Sequence, residues 1–265
     1  MLMLSIGMSL TLRVLWSNWR EMTASLWMRL FGATFLFPPL LALGLGHLFE
    51  LSPAALAGFF LVGVAPGAPL MTRGVAKKGF DMEVAASYQV WGALLIPLVI
   101  PVLLAGGGWL YGRELWIAPT RLLAVIAKQV LLPLIGGMLI AHFWPQFCAK
   151  VQRGLNLGGN ALLSLAIVGA LIKLGPALGQ VNPLMALSAL LLAVGCLLSM
   201  RLSLNKPTAM VQTLSICNVN RHVGLALLLS HESVHDQRPL PAIAAYAIAA
   251  TVVMIAYSRL ARRWL

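Results

Sequence analysis

The sequence has few charged residues for a chain of its length. Lys, Arg, Asp and Glu make up 10% of the 265 residues, whereas hydrophobic residues make up 60%. A soluble domain of this composition would have too little polar surface, so a soluble globular fold is excluded. Acidic residues are especially scarce, with 7 against 19 basic ones, and none lies well inside an apolar segment. A proton relay built from Asp and Glu side chains is therefore not expected.

Cysteines and catalytic motifs are scarce as well. Cys148, Cys196 and Cys217 form no spaced pair, so neither a disulfide framework nor a zinc site is predicted. The chain has no Gly-rich nucleotide loop, no H-E-x-x-H motif and no convincing nucleophile–base pair, and we expect neither enzymatic activity nor a cofactor. The net charge of +12 would suggest nucleic acid in a soluble protein. Here membrane topology accounts for most of it, and no nucleic-acid partner is predicted.

Long apolar runs, by contrast, recur along the whole chain. Runs of about 20 residues are typical of transmembrane helices, which satisfy their own backbone groups in a bilayer. The sequence therefore predicts an all-α polytopic membrane protein with the lipid bilayer as its partner. We expect the A-G-G-G-W stretch at 105–109 to be a loop. About nine segments are predicted, at roughly 1–16, 26–48, 53–77, 82–106, 119–144, 155–178, 183–203, 207–230 and 239–258.

Basic residues are distributed unequally between the loops on the two sides of the membrane. If the loops alternate sides, thirteen lie on one side and three on the other. By the positive-inside rule, this distribution predicts an integral protein of the cell (inner) membrane with its N-terminus outside and its C-terminus in the cytoplasm. The thirteen are Arg13, Arg20, Arg29, Arg73, Lys77, Lys78, Lys150, Arg153, Arg201, Lys206, Arg259, Arg262 and Arg263, the three are Arg113, Arg121 and Arg238, and Lys128, Lys173 and Arg221 lie within segments.

Two of the segments are interrupted within the membrane. In the third, Pro66 and Pro69 remove backbone donors and Gly67 frees the backbone between them, so the helix should unwind near its centre. The eighth is interrupted by polar residues from Asn218 to His222. Paired interruptions in the two halves of a transporter indicate its binding site. The alternative for the third segment is a Pro-kinked helix that only packs.

Arg221 is the most costly of these polar residues. Inserting an arginine at the centre of a transmembrane helix costs about 3 kcal/mol even on the experimental scale that gives the lowest values. Three interpretations are open: a counter-charge for an anionic substrate, a fixed cation that holds the two interruptions together, or an arginine that snorkels to the membrane edge. Asn218, Asn220 and unwound backbone carbonyls are the expected partners. His222 is either a satisfied structural histidine or a proton-linked group, because histidine can titrate near neutral pH.

Three stretches resemble the bile acid/sodium symporter family. V-G-V-A-P-G-A-P-L-M-T-R-G-V-A-K-K-G-F-D at 62–81 is similar to the family's unwound fourth-helix region. I-G-M-S-L-T-L at 6–12 resembles its glycine-methionine-glycine-leucine-threonine helix, and G-L-A at 224–226 resembles the residues after its ninth-helix polar cluster. The likeness covers nearly the whole chain in order and spacing.

The resemblance implies two inverted repeats that form a core domain, in which the broken helices cross, and a panel domain. The repeats would cover about residues 1–110, lacking the first helix, and about 117–265, within one transmembrane domain. Segments two to four and seven to nine would form the core, and segments one, five and six the panel.

The chain departs from the family at the positions that bind sodium. Where the family has a serine-asparagine pair after the Pro-Gly break, this chain has Met71 and Thr72, and where it has a serine and a threonine on the next helix, this chain has Ala85 and Gln89. The family's glutamate corresponds to Cys217. The glutamine-asparagine pair that follows corresponds to Arg221 and His222. Hard cations prefer oxygen ligands, so most sodium affinity should be lost and no metal site is predicted.

The sequence as a whole predicts a transporter that moves a small organic anion by alternating access and is not coupled to sodium in the family's usual way. Positive and polar groups at the crossover favour an anion. The alternative is a non-transporting membrane sensor or assembly protein that keeps the symporter fold. The predicted substrate-binding or crossover residues are Pro66, Gly67, Pro69, Thr72, Gln89, Cys217, Asn218, Asn220, Arg221 and His222.

Overall fold

The computed structural model describes residues 23–67, 78–111, 127–147, 175–204, 209–231 and 238–261, together with scattered single positions elsewhere. Every regular element in these residues is helical. The elements are α1 (Ala24–Phe31), which continues through a π-helical turn (Gly32–Leu36) into α2 (Phe37–Leu48), then α3 (Pro53–Val64), α4 (Met82–Tyr111), a second π-helical turn (Ala127–Leu131) that leads into α5 (Leu132–Phe143), α6 (Pro183–Ser203), α7 (Ala209–Val219), α8 (Val223–Leu229) and α9 (Leu240–Ala261).

Four helical stretches in the described residues are long and apolar enough to cross a membrane. They are Ala24–Leu48, Met82–Gly108, Pro183–Ser203 and Leu240–Ala261, and they coincide with the second, fourth, seventh and ninth predicted segments. The shorter apolar helices α3 and α5 lie within the third and fifth. The protein is thus an all-helical polytopic membrane protein, as predicted. Segments one and six lie largely outside the described residues, so the total of about nine stays a prediction.

Capping side chains set the starts of several helices. The Ser52 side chain accepts a hydrogen bond from the Ala55 N–H at 3.3 Å, and Pro53 occupies the first helical position of α3. Asn182 does the same for α6, accepting from the Met185 N–H at 2.7 Å. The first N–H groups of a helix have no partner within the helix. The capping side chain accepts from one of them and the proline has no N–H at all, so both helices begin where the sequence places this pair.

The expectation of a loop at 105–109 is wrong, because α4 continues as a helix to Tyr111. The reason lies in the packing of Gly107. A Cβ atom at this position would lie 2.4 Å from the ring of Phe60 on α3. Glycine therefore lets the two helices approach closely without ending α4, as small residues commonly do between membrane helices.

The interior lies among α2, α3, α6, α7 and α9. α3 packs against α2 and α9, and α6 packs against α2, α7 and α9. Aromatic rings join α4 to the helical stretch Ala24–Leu48, hereafter the first span, with the Trp91 ring centroid 5.4 Å from that of Trp27 and 5.6 Å from that of Phe35. These contacts hold the helix ends described below inside the protein, away from lipid.

A glycine pair joins the N-terminal residues to α5. A Cβ at Gly7 would lie 2.1 Å from the Leu134 carbonyl oxygen, and one at Gly137 would lie 2.1 Å from that of Leu4. Each glycine thus meets the residue three positions before the other. A side chain larger than hydrogen at either position would therefore prevent this close backbone approach.

Candidate functional site: two interrupted helices that meet

The first interruption follows α3. The helix ends at Val64, Ala65 has extended backbone (φ −95°, ψ 90°), and Gly67 has a positive φ of 34°. Pro66 cannot donate a backbone hydrogen bond, and Gly67 adopts a conformation that other residues disfavour. The local sequence therefore ends the helix here.

The second interruption separates α7 from α8. The Arg221 N–H donates to the Val219 carbonyl at 2.9 Å, and the Val223 N–H donates to the Arg221 carbonyl at 2.9 Å. Both are three-residue turns, and they stand in place of the i→i−4 hydrogen bonds of a regular α-helix between α7 and α8. The two interruptions are in contact, because the backbone N–H of His222 donates to the carbonyl oxygen of Ala65 at 3.1 Å.

The Arg221 guanidinium lies where the two interruptions meet. Its residue is 1% exposed. Nε donates to the Val62 carbonyl at 3.3 Å, and Nη2 donates to the Gly63 carbonyl. These carbonyls belong to the last turn of α3, where the helix dipole is negative; the Val62 carbonyl also accepts from the Ala65 N–H at 3.1 Å. The guanidinium therefore caps the broken end of α3, and its position is not that of a side chain that snorkels to the membrane edge.

The remaining contacts of the guanidinium lead to the first span and to α7. Nη1 donates to the Thr34 carbonyl at 2.9 Å and to Asn218 Oδ1 at 3.0 Å. Four oxygen atoms thus surround the cation, three from the backbone and one from an amide. All of them belong to the protein interior.

Asn218 connects Arg221 to α6. Its Nδ2 lies 2.8 Å from the Cys196 carbonyl, 3.0 Å from the Ala33 carbonyl and 3.1 Å from Ser199 Oγ. Its Oδ1 faces Arg221 and also lies 3.1 Å from the Tyr88 hydroxyl. The whole amide is buried, so one side chain uses both its donor and its acceptor ends to tie α7 to its neighbours.

The π-helical turn at Gly32–Leu36 supplies two of these acceptors, the carbonyls of Ala33 and Thr34. A π-helical turn interrupts the regular i→i−4 ladder, and such turns often occur at functional sites. Here the Ala33 carbonyl also lies 3.4 Å from Ser199 Oγ. The carbonyl groups of this distorted turn therefore accept hydrogen bonds from side chains on α6, α7 and the second interruption.

Two buried tyrosines complete the network. The Tyr88 hydroxyl lies 3.2 Å from Thr34 Oγ1 in addition to its contact with Asn218. The Tyr246 hydroxyl donates to the Val219 carbonyl, the last of α7, at 2.7 Å. Counted from Met82 and Leu240, each tyrosine is the seventh residue of its helix.

His222 acts locally as a helix cap. Its Nδ1 accepts a hydrogen bond from the Leu225 N–H at 3.0 Å, at the start of α8. The ring is partly buried. An Nδ1 that accepts a hydrogen bond carries no proton, so this arrangement requires the neutral ring.

The predicted site residues divide into three groups. Arg221 and His222 meet the end of α3 next to Pro66 and Gly67, and Asn218 binds Arg221. Gln89 and Cys217 are buried and Asn220 is partly buried, and none of the three is a side-chain partner of the guanidinium. Pro69 and Thr72 lie outside the described residues.

Sequence reasoning missed several members of the network. They are polar residues in otherwise apolar stretches, and this isolation is the signal that could have identified them. The missed residues are Thr34, Tyr88, Ser199 and Tyr246.

Comparisons with known proteins agree with the resemblance noted in the sequence. The chain is 27% identical over 238 residues to the "Uncharacterized sodium-dependent transporter YocS" of Bacillus subtilis (strain 168), which covers 86% of this chain and 71% of that protein. The model of the Sodium Bile acid symporter family matches residues 1–180. This match takes in the first span, the first interruption and α4. The chain therefore belongs to the Sodium Bile acid symporter family, a family of membrane transporters.

Proposed function

We propose that this membrane transporter moves a small organic anion by alternating access without coupling to a sodium gradient. The observation that carries the proposal is the oxygen cage around Arg221. Three carbonyl oxygens and one amide oxygen converge on the guanidinium. Oxygen sets of this kind suit hard cations such as sodium.

A cation that is part of the chain changes the electrostatics of such a cage. A sodium ion placed among the same oxygens would lie beside the guanidinium charge in a buried, low-dielectric setting, where like charges repel strongly. The position that corresponds to the family's glutamate is Cys217, which supplies no carboxylate. We infer that Arg221 permanently supplies the charge that a bound ion would otherwise bring. Uniport, exchange or proton-linked transport through His222 are then the available modes.

The Bacillus subtilis relative is named as sodium-dependent, and this property belongs to that protein. Its extension to this chain is the competing proposal for coupling. The two proposals differ in one respect, namely whether a sodium ion has to enter the crossover during each cycle. The four bonds already made by Arg221 favour the proposal that it does not.

An organic anion is the substrate class that the buried residues support best. No described buried side chain is a carboxylate, so the interior offers no built-in negative charge to an organic cation. The family's name refers to bile acids, which are organic anions. Since four of its five N–H donors bind the protein, we do not assign Arg221 as the direct counter-charge of the substrate.

The inverted-repeat architecture is part of the same proposal. One interruption precedes α4 and the other precedes α8 and α9, and α4 and α9 each carry a buried tyrosine as their seventh residue; both tyrosines reach the second interruption, at Asn218 and Val219. This correspondence supports two related halves whose broken helices cross. We propose about nine spans, with a core and a panel, the N-terminus outside and the C-terminus in the cytoplasm.

Uptake into proteoliposomes tests the proposal. A thermal-shift screen of the detergent-purified protein against organic acids and bile salts would first select a stabilising anion. We expect uptake of that anion above the level of protein-free liposomes, with equal rates with and without an inward sodium gradient. Strong stimulation by sodium would overturn the coupling proposal. A lack of uptake for every stabilising anion would instead favour the non-transporting alternative.

A further inference from the structure

An apolar groove lies on the outer side of the first span, between that span and α6. Its volume is about 640 Å³. Phe37 and Leu41 line one wall, and Leu191 and Leu198 line the other. Leu191 and Leu198 are also exposed, so the groove is open along the side where lipid would lie.

One end of the groove is basic. Arg29 lines this end and is exposed, and its Nη1 donates to the Ser203 carbonyl at 3.3 Å, the one hydrogen bond it makes among the described residues. Arginine has five N–H donors, so most of its capacity remains for another group. Arg201, also exposed, lies in the last turn of α6 at the same end. Two arginines therefore lie at this end of the groove, Arg29 in its lining and Arg201 on the adjoining last turn of α6.

The length of the groove matches one leaflet of a bilayer. From Leu191 to Ser203, both of which line it, α6 rises about 18 Å. Half of the hydrocarbon core of a bilayer is about 15 Å thick. A ligand bound here would have an apolar chain as deep as one leaflet and a negatively charged group at the surface.

We propose that this groove binds one acyl chain of an anionic phospholipid, whose phosphate is held by Arg29 with Arg201 contributing a second positive charge. Basic pockets between membrane helices recognise acidic lipid headgroups in this way. In the orientation proposed above, the site faces the cytoplasmic leaflet. The groove follows the helix that carries the π-helical turn, so a bound lipid would stabilise the span that supplies the Ala33 and Thr34 carbonyls to the crossover.

Native mass spectrometry of the detergent-purified protein tests this site. Phosphatidylglycerol and phosphatidylcholine with identical acyl chains would be added separately. We expect the anionic lipid to be retained several-fold more, and Arg29→Gln to reduce its retention about fivefold, since one basic residue near an anionic surface is worth about that factor. Leu198→Trp, which fills the groove, should reduce retention of both lipids.

Two variants serve as matched controls. Leu190→Trp adds the same bulk on the exposed surface of α6 outside the groove, and Arg259→Gln removes an exposed arginine from the last turn of α9. Both should retain phosphatidylglycerol as the wild type does. Equal retention of the two lipids by the wild type would overturn the proposal, as would equal losses in the control variants. A change from dimer to monomer in Leu198→Trp would assign the groove to a second copy of the chain instead.

Discussion

The backbone N–H of His222 donates a hydrogen bond to the carbonyl oxygen of Ala65, and this contact joins the two interruptions directly. The neighbouring Arg221 side chain adds bonds to the last turn of α3. Moving one interruption past the other would break several buried hydrogen bonds at once, and each buried group left unpaired would cost about 1–3 kcal/mol. We therefore expect the two interruptions to move together as one body during any transport cycle.

Replacement of Arg221 by Met should destabilise the protein strongly. The change keeps an unbranched side chain but removes the guanidinium donors from the Gly63 and Thr34 carbonyls and leaves Asn218 Oδ1 with only the Tyr88 hydroxyl. Removing one partner of a buried charged network typically costs about 3–5 kcal/mol. Arg221→Lys keeps the charge but loses the planar fork, so it should fall between Met and the wild type. Thermal unfolding in detergent measures both changes, with exposed Arg259→Met as the control.

Chemical rescue distinguishes a resident cation from a residue that only fills space. In Arg221→Ala, the four oxygens would surround a small cavity. Low millimolar guanidinium, or sodium, should then raise the thermal stability of this variant and leave that of the wild type unchanged. If neither ion stabilises the variant more than choline does, the cage does not act as a cation site.

Asn218→Asp separates the two ends of the amide. The carboxylate keeps acceptors for Arg221 and Tyr88, but it removes the donor that faces the carbonyls of Ala33 and Cys196. We expect a loss of about 2 kcal/mol, because several buried acceptors lose their partner and a carboxylate oxygen replaces it. Asn218→Leu removes both ends and should cost more. Equal stability of the Asp variant and the wild type would show that the bonds from Nδ2 contribute little.

The interruptions were predictable from the sequence because their causes are local. Pro66 and Gly67 act on their own backbone, and the cost of a charge in the bilayer made an interior position for Arg221 one of the two alternatives, the other being a side chain that snorkels to the membrane edge. The partners of Arg221 were not predictable in the same way. Thr34 is separated from it by 187 positions, and its carbonyl accepts the bond only because a π-helical turn presents it. Nothing in the G-A-T-F-L stretch distinguishes a π-helical turn from regular α-helix.

Tyr88→Phe should cost about 1 kcal/mol, the usual net value of one buried hydrogen bond. The variant removes only the hydroxyl that lies between Thr34 Oγ1 and Asn218 Oδ1 and keeps the ring that packs on Trp91. Tyr246→Phe is the matched change in the other half, where the hydroxyl binds the Val219 carbonyl. If the two tyrosine hydroxyl groups stabilise the second interruption equally, both variants should lower the unfolding temperature by similar amounts. A loss confined to one of them would argue against that equivalence.

Gly63→Ala should destabilise the packing of α3 on the first span. A Cβ atom here would lie 2.8 Å from the Pro39 Cα, which is a rigid backbone contact. Overpacking of this kind costs about 1–3 kcal/mol and would also displace the carbonyl that Arg221 binds. Gly44→Ala on α2, the helix against which α3 packs, is the control, since no heavy atom lies within 4 Å of its added Cβ. The control should be neutral or slightly stabilising by thermal unfolding, because alanine favours the helix.

His222 predicts a pH dependence whose sign follows from its hydrogen bond. Nδ1 accepts from the Leu225 N–H, so only the neutral ring caps α8. The charged or titratable groups on the surrounding elements are Arg221 in the interruption, Cys217 on α7, and Tyr246, Tyr257 and Arg259 on α9. None is a carboxylate that would favour a charged imidazole. Because a proton on Nδ1 would remove this cap, stability should fall as the pH is lowered and the histidine becomes protonated.

Two substitutions at His222 isolate this effect. Asn is among the best helix caps and does not titrate, so His222→Asn should keep the stability of the wild type at neutral pH and lose the decline at low pH. His222→Ala removes the cap and should cost about 1 kcal/mol at every pH. Thermal unfolding and anion uptake measured across the acidic pH range would show whether the stability of His222→Asn is independent of pH. If the stability of His222→Asn falls at low pH as steeply as that of the wild type, the titrating group lies elsewhere. If this variant keeps its stability but loses anion uptake, His222 takes part in proton-linked transport.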